Sequence, residues 1–126
     1  MDIQLQEAHN LHRARFSFSS PRRDGGEAVG AKIRTSLTIT SMGADTFEVV
    51  FSFDPKIGSA ITGHIDSIPK GITASIAFNF VNAREVRVGT LSVDYKGIDG
   101  GKRREKFAYE INPQDPYVKI KQQIID

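Results

Sequence analysis

The chain has 126 residues, of which 39% are hydrophobic and 25% charged, with a formal net charge of +2. That length suits one domain around one core, and that composition suits an ordinary folded protein, neither disordered nor membrane-spanning. The lack of cysteine excludes disulfide frameworks, thiolate nucleophiles and cysteine-ligated zinc, and a balance of +2 does not by itself point to nucleic acid, although the pI is near 9.0.

The N-terminal MDIQLQEAHN has no basic region followed by an apolar run, so no export signal is read there. No apolar run reaches membrane-spanning length. A cytoplasmic location, or a virion assembled in a cytoplasm, is the expectation. Residues 1–12 suit either a short strand through Ile3 and Leu5 or a helical face of Leu5, Ala8, His9 and His12. From Arg13 to Ser19, Ala14, Phe16 and Phe18 alternate with Arg13, Arg15 and Ser17, a half-buried strand by its period of two. SPRRDGGEAVG, residues 20–30, reads as a mobile loop built around proline and an Asp-Gly-Gly turn.

Lys32 to Thr40 is a second strand, with Ile33, Thr35, Leu37 and Ile39 on one face. Thr46 to Phe53 is a third, with Phe47, Val49, Phe51 and Phe53 on one face. The Ser41–Asp45 loop between them predicts a hairpin. Asp54-Pro55-Lys56 ends it, because proline donates nothing to a ladder. Ile57 to Ile68 has isoleucines at helical spacing, but Gly58 and Gly63 weaken a helix by roughly 1 kcal/mol each, so an irregular strand is predicted. Ile68-Pro69-Lys70-Gly71 reads as a turn.

Ile72 to Tyr95 reads as a long, bent hairpin at the centre of the fold. Ile72, Ala74, Ile76, Phe78 and Phe80 share one face. Val86 and Val88 have one parity, and Leu91, Val93 and Tyr95 the other, so the switch at Gly89-Thr90 predicts a bulge or bend. Residues 96–101 form a turn cluster around Asp99-Gly100, and Phe107, Tyr109 and Ile111 make a strand antiparallel to Leu91–Tyr95. Asn112 to Pro116 breaks it. The tail suits a short helix capped by Asp115 with Pro116 in its first turn, or a further strand through Val118 and Ile120. The fold class predicted is all-β: an antiparallel β-sandwich or flattened barrel of six to seven strands, with at most a short terminal helix and a single domain over residues 1–126.

No catalytic motif is legible. Gly58-Ser59-Ala60 lacks the elbow pattern of a hydrolase serine. Gly101-Lys102 lacks the first glycine and the Ser or Thr of a phosphate loop. His9 and His12 would share a helical face near Glu7, yet a metal site needs three or four convergent ligands, and surface histidines are the plainer reading. His64 reads as an outward residue of an irregular strand. Asp24, Asp45, Asp54, Asp99 and Asp115 sit at turns, where turn and cap chemistry accounts for them. No catalytic residue, metal ligand or cofactor is assigned, and no membrane partner.

Two features are less plain. Gly71 to Ala83 carries no charge, and the face Thr73, Ser75, Ala77 and Asn79 is small and weakly polar. A strand facing water usually carries Lys or Glu, which also blocks edge pairing. This face is therefore expected to be covered, by the second layer of the domain or by another subunit. The other feature is basic clustering. Arg13, Arg15, Lys32 and Arg34 would form one patch if their strands pair, with Arg22 and Arg23 in the loop between. Lys96 with Lys102, Arg103, Arg104 and Lys106 gives a second at a hairpin tip. Such patches bind phosphate backbones or acidic surfaces, or simply keep a domain soluble. Core parity for nearly all aromatics counts against base stacking.

Phe16-Ser17-Phe18-Ser19-Ser20-Pro21 resembles the first strand and its exit in SecB-like export chaperones, and Gly43 to Val50 resembles their turn into a following strand. Those chaperones end in a long helix, whereas this chain continues with strands from Ile72 to Ile111. The resemblance implies a β-domain that holds unfolded or partner chains on apolar grooves. The residues themselves favour a non-enzymatic structural or assembly subunit, such as a component of a phage particle or another multi-subunit machine. Its partners would be proteins, as a homo-oligomer or larger assembly, with a nucleic-acid-binding β-domain as a further alternative.

Overall fold

A computed structural model describes residues 13–20, 29–55, 59, 60 and 63–124. The readings that fell on residues 1–12 and on Arg22 and Arg23 lie outside these. The strands are β1 (Arg15–Ser19), β2 (Lys32–Met42), β3 (Thr46–Asp54), β4 (Ser59–Ala60), β5 (His64–Ile68), β6 (Thr73–Val81), β7 (Arg87–Lys96), β8 (Lys102–Asn112) and β9 (Asp115–Ile124). They form two antiparallel sheets. The first has the order β1-β2-β6-β4 and the second β5-β3-β7-β8-β9. One core lies between them, in which Ile33, Leu37 and Ile39 of β2 and Ile76, Phe78 and Phe80 of β6 meet Leu91, Val93, Phe107 and Tyr109 of the second sheet. The all-β sandwich is as predicted, and alternation is its cause: each strand buries one parity.

The strand count exceeds the six to seven predicted, for two reasons. Residues 57–68 supply both β4 and β5, and the tail is strand β9, not a helix, paired with β8 from Asn112↔Asp115 to Lys106↔Ile124. Val118 is buried and Ile120 packs against the core.

Neither predicted hairpin over the central strands forms. β2 pairs with β1 and β6, while β3 pairs with β5 and β7. The Gly43–Asp45 connection, shorter than the Ser41–Asp45 loop predicted, and the Asn82–Val86 connection therefore pass from one sheet to the other. The β7–β8 hairpin does form, in unbroken register from Arg87↔Ile111 to Lys96↔Lys102.

That register also removes the bulge expected at Gly89. Val86 and Val88 point outward, 49% and 63% exposed, and Gly89 takes the inward parity. A Cβ there would lie 2.4 Å from the Asp54 carbonyl oxygen, 2.6 Å from Pro55 Cδ and 2.7 Å from Tyr109 Cε1. Gly89 is a close-approach glycine under the end of β3, where Tyr109 Oη donates to the Pro55 carbonyl at 2.7 Å. The irregularity is in β3 instead. Glu48 has φ +49°, and the β3–β7 register shifts between Phe47 and Val50. This bulge turns Thr46 fully inward and puts Phe47, predicted for the core, 36% exposed.

Candidate functional site

The outer face of the first sheet is built from hydroxyls. Register places Ser17, Thr40 and Thr73 in one row, Ser19, Thr38 and Ser75 in the next, and Ser36 beside Ala77. Thr40 and Thr73 hydroxyls bond at 2.7 Å, and Ser19 bonds Thr38. Thr73 and Ser75 are exposed, and Ala77 and Asn79 half-buried. The second sheet covers only the opposite face of β6, where Ile76, Phe78 and Phe80 are buried. Burial of the charge-free face by the domain's own second layer is thus corrected: side chains alternate, and the layer lies on the other side.

The edge of β6 adds to this. Asn82 N donates to the Ala31 carbonyl, its own carbonyl accepts from Gly30 N, and the Ile72 carbonyl accepts from Ser41 N. Backbone direction alternates along an antiparallel strand. The even-numbered residues between these ends therefore direct their N–H and C=O groups toward β2. Thr73, Ser75, Ala77 and Asn79 direct theirs to the other side. There β4 pairs only with Phe78 and Asn79, so the groups of Thr73, Ser75 and Ala77 meet no strand among the described residues. The other edges carry charge: Arg15 on β1, Asp66 on β5, Lys119 and Lys121 on β9. Charges on an edge oppose strand addition, and the β6 edge has none.

The second sheet's outer face carries a groove of about 610 Å³, lined by Glu48, Val50, His64, Asp94, Lys96, Lys102 and Arg104 with the backbone side of Tyr95 and Arg103. Pairing aligns His64, Val50, Asp94 and Arg104 across four strands, and Phe47, Lys96 and Lys102 in the next row. Lys96 Nζ lies 2.7 Å from Glu48 Oε2, and this hydrogen bond holds the Glu48 carboxyl below its ordinary pKa. Arg104 donates to Asp94 at 2.5 and 3.1 Å. His64 Nδ1 is 3.7 Å from the 98% exposed Asp66, beyond hydrogen-bond distance. The groove's two carboxylates are thus tied to cations rather than to His64. Among the described residues no group of three or more His, Asp or Glu is placed to hold a metal.

Below this face lies a buried carboxylate. Glu105 is 1% exposed and accepts from Arg13 Nε and Nη2 at 2.9–3.1 Å, from Tyr95 Oη at 2.7 Å and from Gln123 Nε2 at 2.9 Å. Tyr95 Oη in turn accepts from Ala14 N at 3.0 Å. Burial and the bond to Glu105 raise the Tyr95 pKa. The cluster fastens the entry to β1, in the first sheet, to β7, β8 and β9 of the second. Its donors fill the carboxylate's acceptor sites, so it works as a clasp between the sheets.

The first predicted basic patch does not assemble. β1 runs antiparallel to β2 with Arg15 opposite Met42, eight residues from Arg34, or about 27 Å along the strand. Arg13 is bound in the clasp, and Lys32 and Arg34 sit near the far end of β2, beside Val81 and Asn79. The second patch splits by parity. Lys102, Arg104 and Lys106 face outward, whereas Arg103, only 5% exposed, turns inward and pairs with Asp99 at 2.9 Å. Glu105 carried a signal in the sequence: it shares the parity of Phe107, Tyr109 and Ile111. Phe47 carried none, because the bulge that exposes it leaves the alternation intact.

Neither a protein-family model, nor a curated protein, nor a solved structure matches the chain. The pieces similar to SecB-like chaperones fall in β1 and at the β2–β3 crossover, and strands follow them. No helix among the described residues is long and apolar enough to cross a membrane.

Proposed function

We propose that the chain is a non-enzymatic assembly subunit that docks other protein chains through the first sheet, by strand addition to β6. The observation that supports this is the edge at Thr73, Ser75 and Ala77, which carries no charge and whose outward backbone groups pair with no strand among the described residues. An extended strand of a neighbouring subunit takes up those groups, and backbone hydrogen bonds supply affinity. The hydroxyl rows beside it, Ser17-Thr40-Thr73 and Ser19-Thr38-Ser75, carry no charge of their own, which suits a second sheet or subunit laid against them. The groove carboxylates Glu48 and Asp94 and the buried Glu105 are bound to Lys96, Arg104 and Arg13.

Light scattering on the purified chain at tens of micromolar tests the reading, together with the variant Ser75→Pro. The Ser75 N–H points away from β2 and pairs with no strand among the described residues, so proline removes no bond seen there while its ring blocks an incoming strand. Oligomers, or a stoichiometric co-purifying protein, are expected for the parent chain, and a monomer with nearly unchanged thermal midpoint for Ser75→Pro. A parent chain that is strictly monomeric and has no partner overturns the proposal.

A further inference from the structure

The outer face of the second sheet assembles what an unpaired nucleotide strand requires. We infer that this groove binds single-stranded nucleic acid, independently of docking at β6. Three observations converge on it. First, β8 presents Lys102, Arg104 and Lys106 on one face, so a cation recurs about every 6.7 Å along the strand. Lys96 sits beside Lys102 on β7. Second, the bulge at Glu48 brings the Phe47 ring out onto this same face, in register with Lys96 and Lys102. A base stacks on an exposed ring of this kind, and every base offers a face for it. Third, the face holds a groove of about 610 Å³, inside the roughly 300–1,000 Å³ range of ligand pockets, with Val50 42% exposed within it.

The pairing already present does not close the site. The Lys102 side chain is exposed and joins no side-chain hydrogen bond or salt bridge among the described residues, and it meets Glu48 only through its charge. The Lys96–Glu48 and Arg104–Asp94 pairs are surface pairs, with side chains 36–60% exposed, and pairs of that kind are weak enough for a phosphate to displace. Glu48 and Asp94 limit the strength of binding and hold the two cations over the groove. A duplex keeps its bases stacked on one another and leaves none for Phe47, so the occupant is a single strand.

The test is fluorescence anisotropy with a short labelled oligothymidylate, a duplex of equal length and heparin as competitor. The parent chain is expected to bind the single strand in preference to the duplex. With about three phosphates neutralised, affinity should fall about 20-fold between 50 and 200 mM salt. Phe47→Ala should weaken binding of the oligonucleotide by about 5- to 150-fold, with little change in the salt slope or in binding to heparin. Lys102→Glu/Arg104→Glu should abolish binding. If that double variant does not fold, Lys102→Glu alone, at an exposed side chain without bonds, should still weaken binding and flatten the salt slope. Absence of saturable binding to the single strand overturns the inference. Tighter binding of the duplex, or an affinity unmoved by Phe47→Ala, overturns it as well.

Discussion

Cutting the Glu105 clasp should be among the costliest single changes in the molecule. The side chain is 1% exposed and accepts from three residues, two of them Tyr95 and Gln123 in the same sheet and the third Arg13 beside β1. Breaking a buried ion pair by removing one partner costs about 3–5 kcal/mol, mostly because the other charge is left buried. Here Arg13 is 48% exposed and can turn to water, which removes much of that penalty. The Tyr95 hydroxyl cannot, and losing the acceptor of a buried donor costs about 1–3 kcal/mol. Glu105→Ala should therefore destabilise by about 3 kcal/mol, between the two figures. Tyr95→Phe should cost about 1–2 kcal/mol, since it strips the same bond and leaves Ala14 N without its acceptor. The two changes share one hydrogen bond, so the double variant should cost at least about 1 kcal/mol less than the sum. Urea unfolding at neutral pH measures all three through the midpoint, with the slope unchanged. A loss below about 1 kcal/mol for Glu105→Ala, or strict additivity, would show that the clasp does not act as a unit.

Gly89→Ala should destabilise by about 1–3 kcal/mol, because the new methyl must push back the Asp54 carbonyl, Pro55 and the Tyr109 ring; a thermal melt at the parent midpoint would show the end of β3 to be yielding. Stability should also fall at alkaline pH. Burial, then the bond to Glu105, raises Tyr95 above its ordinary value, and burial raises Tyr109 too. The unfolded chain loses those protons from about pH 10 while the folded chain keeps them, so stability is whole below that pH and declines above it. Denaturation midpoints taken from about pH 9 to 12 should show the decline, and Tyr95→Phe should make it shallower; an equal slope in that variant would contradict the assignment.

Within a strand the alternation was a sound guide. The buried faces of β1, β2 and β6, and of β8 from Phe107 to Ile111, are the ones read from parity alone. Pairing was not legible, for a physical reason. Parity says which side of a strand meets the core but not which strand lies beside it. A short connection such as Gly43–Asp45 can close a hairpin or cross the roughly 10 Å between packed sheets, and its turn residues look the same in both cases. The four-cation patch depended on pairing and on register, and failed on register. Gly89 misled because a glycine at an apparent phase change has two explanations, a bulge or a close approach, and the atoms that decide between them come from β3 and β8. The exposure of Phe47 depends on the left-handed backbone of Glu48, a conformation that glutamate seldom takes and that no residue type announces.

The same crossovers bear on why β6 ends up as it does. Its composition, Thr-Ala-Ser-Ile-Ala-Phe-Asn-Phe-Val, is that of a strand with neighbours on both flanks, since it has neither the charge nor the proline that keeps an edge from pairing. Had β6 turned back into β7 as a hairpin, both flanks would have been filled from within the chain. Instead the chain leaves for the second sheet after Val81, and among the described residues the flank away from β2 meets only the two residues of β4. An interior type of strand is thereby left in an edge position for the length Thr73–Ala77. The charged residues on β1, β5 and β9 indicate that edge protection is available to this chain and is used where an edge is to stay free. Its omission at β6 is what the proposed docking of another chain there requires. On that proposal Ser75→Lys would restore protection: an assembly formed through β6 should dissociate while the thermal midpoint of the monomer holds, whereas an unaltered assembly would locate the contact elsewhere on the surface.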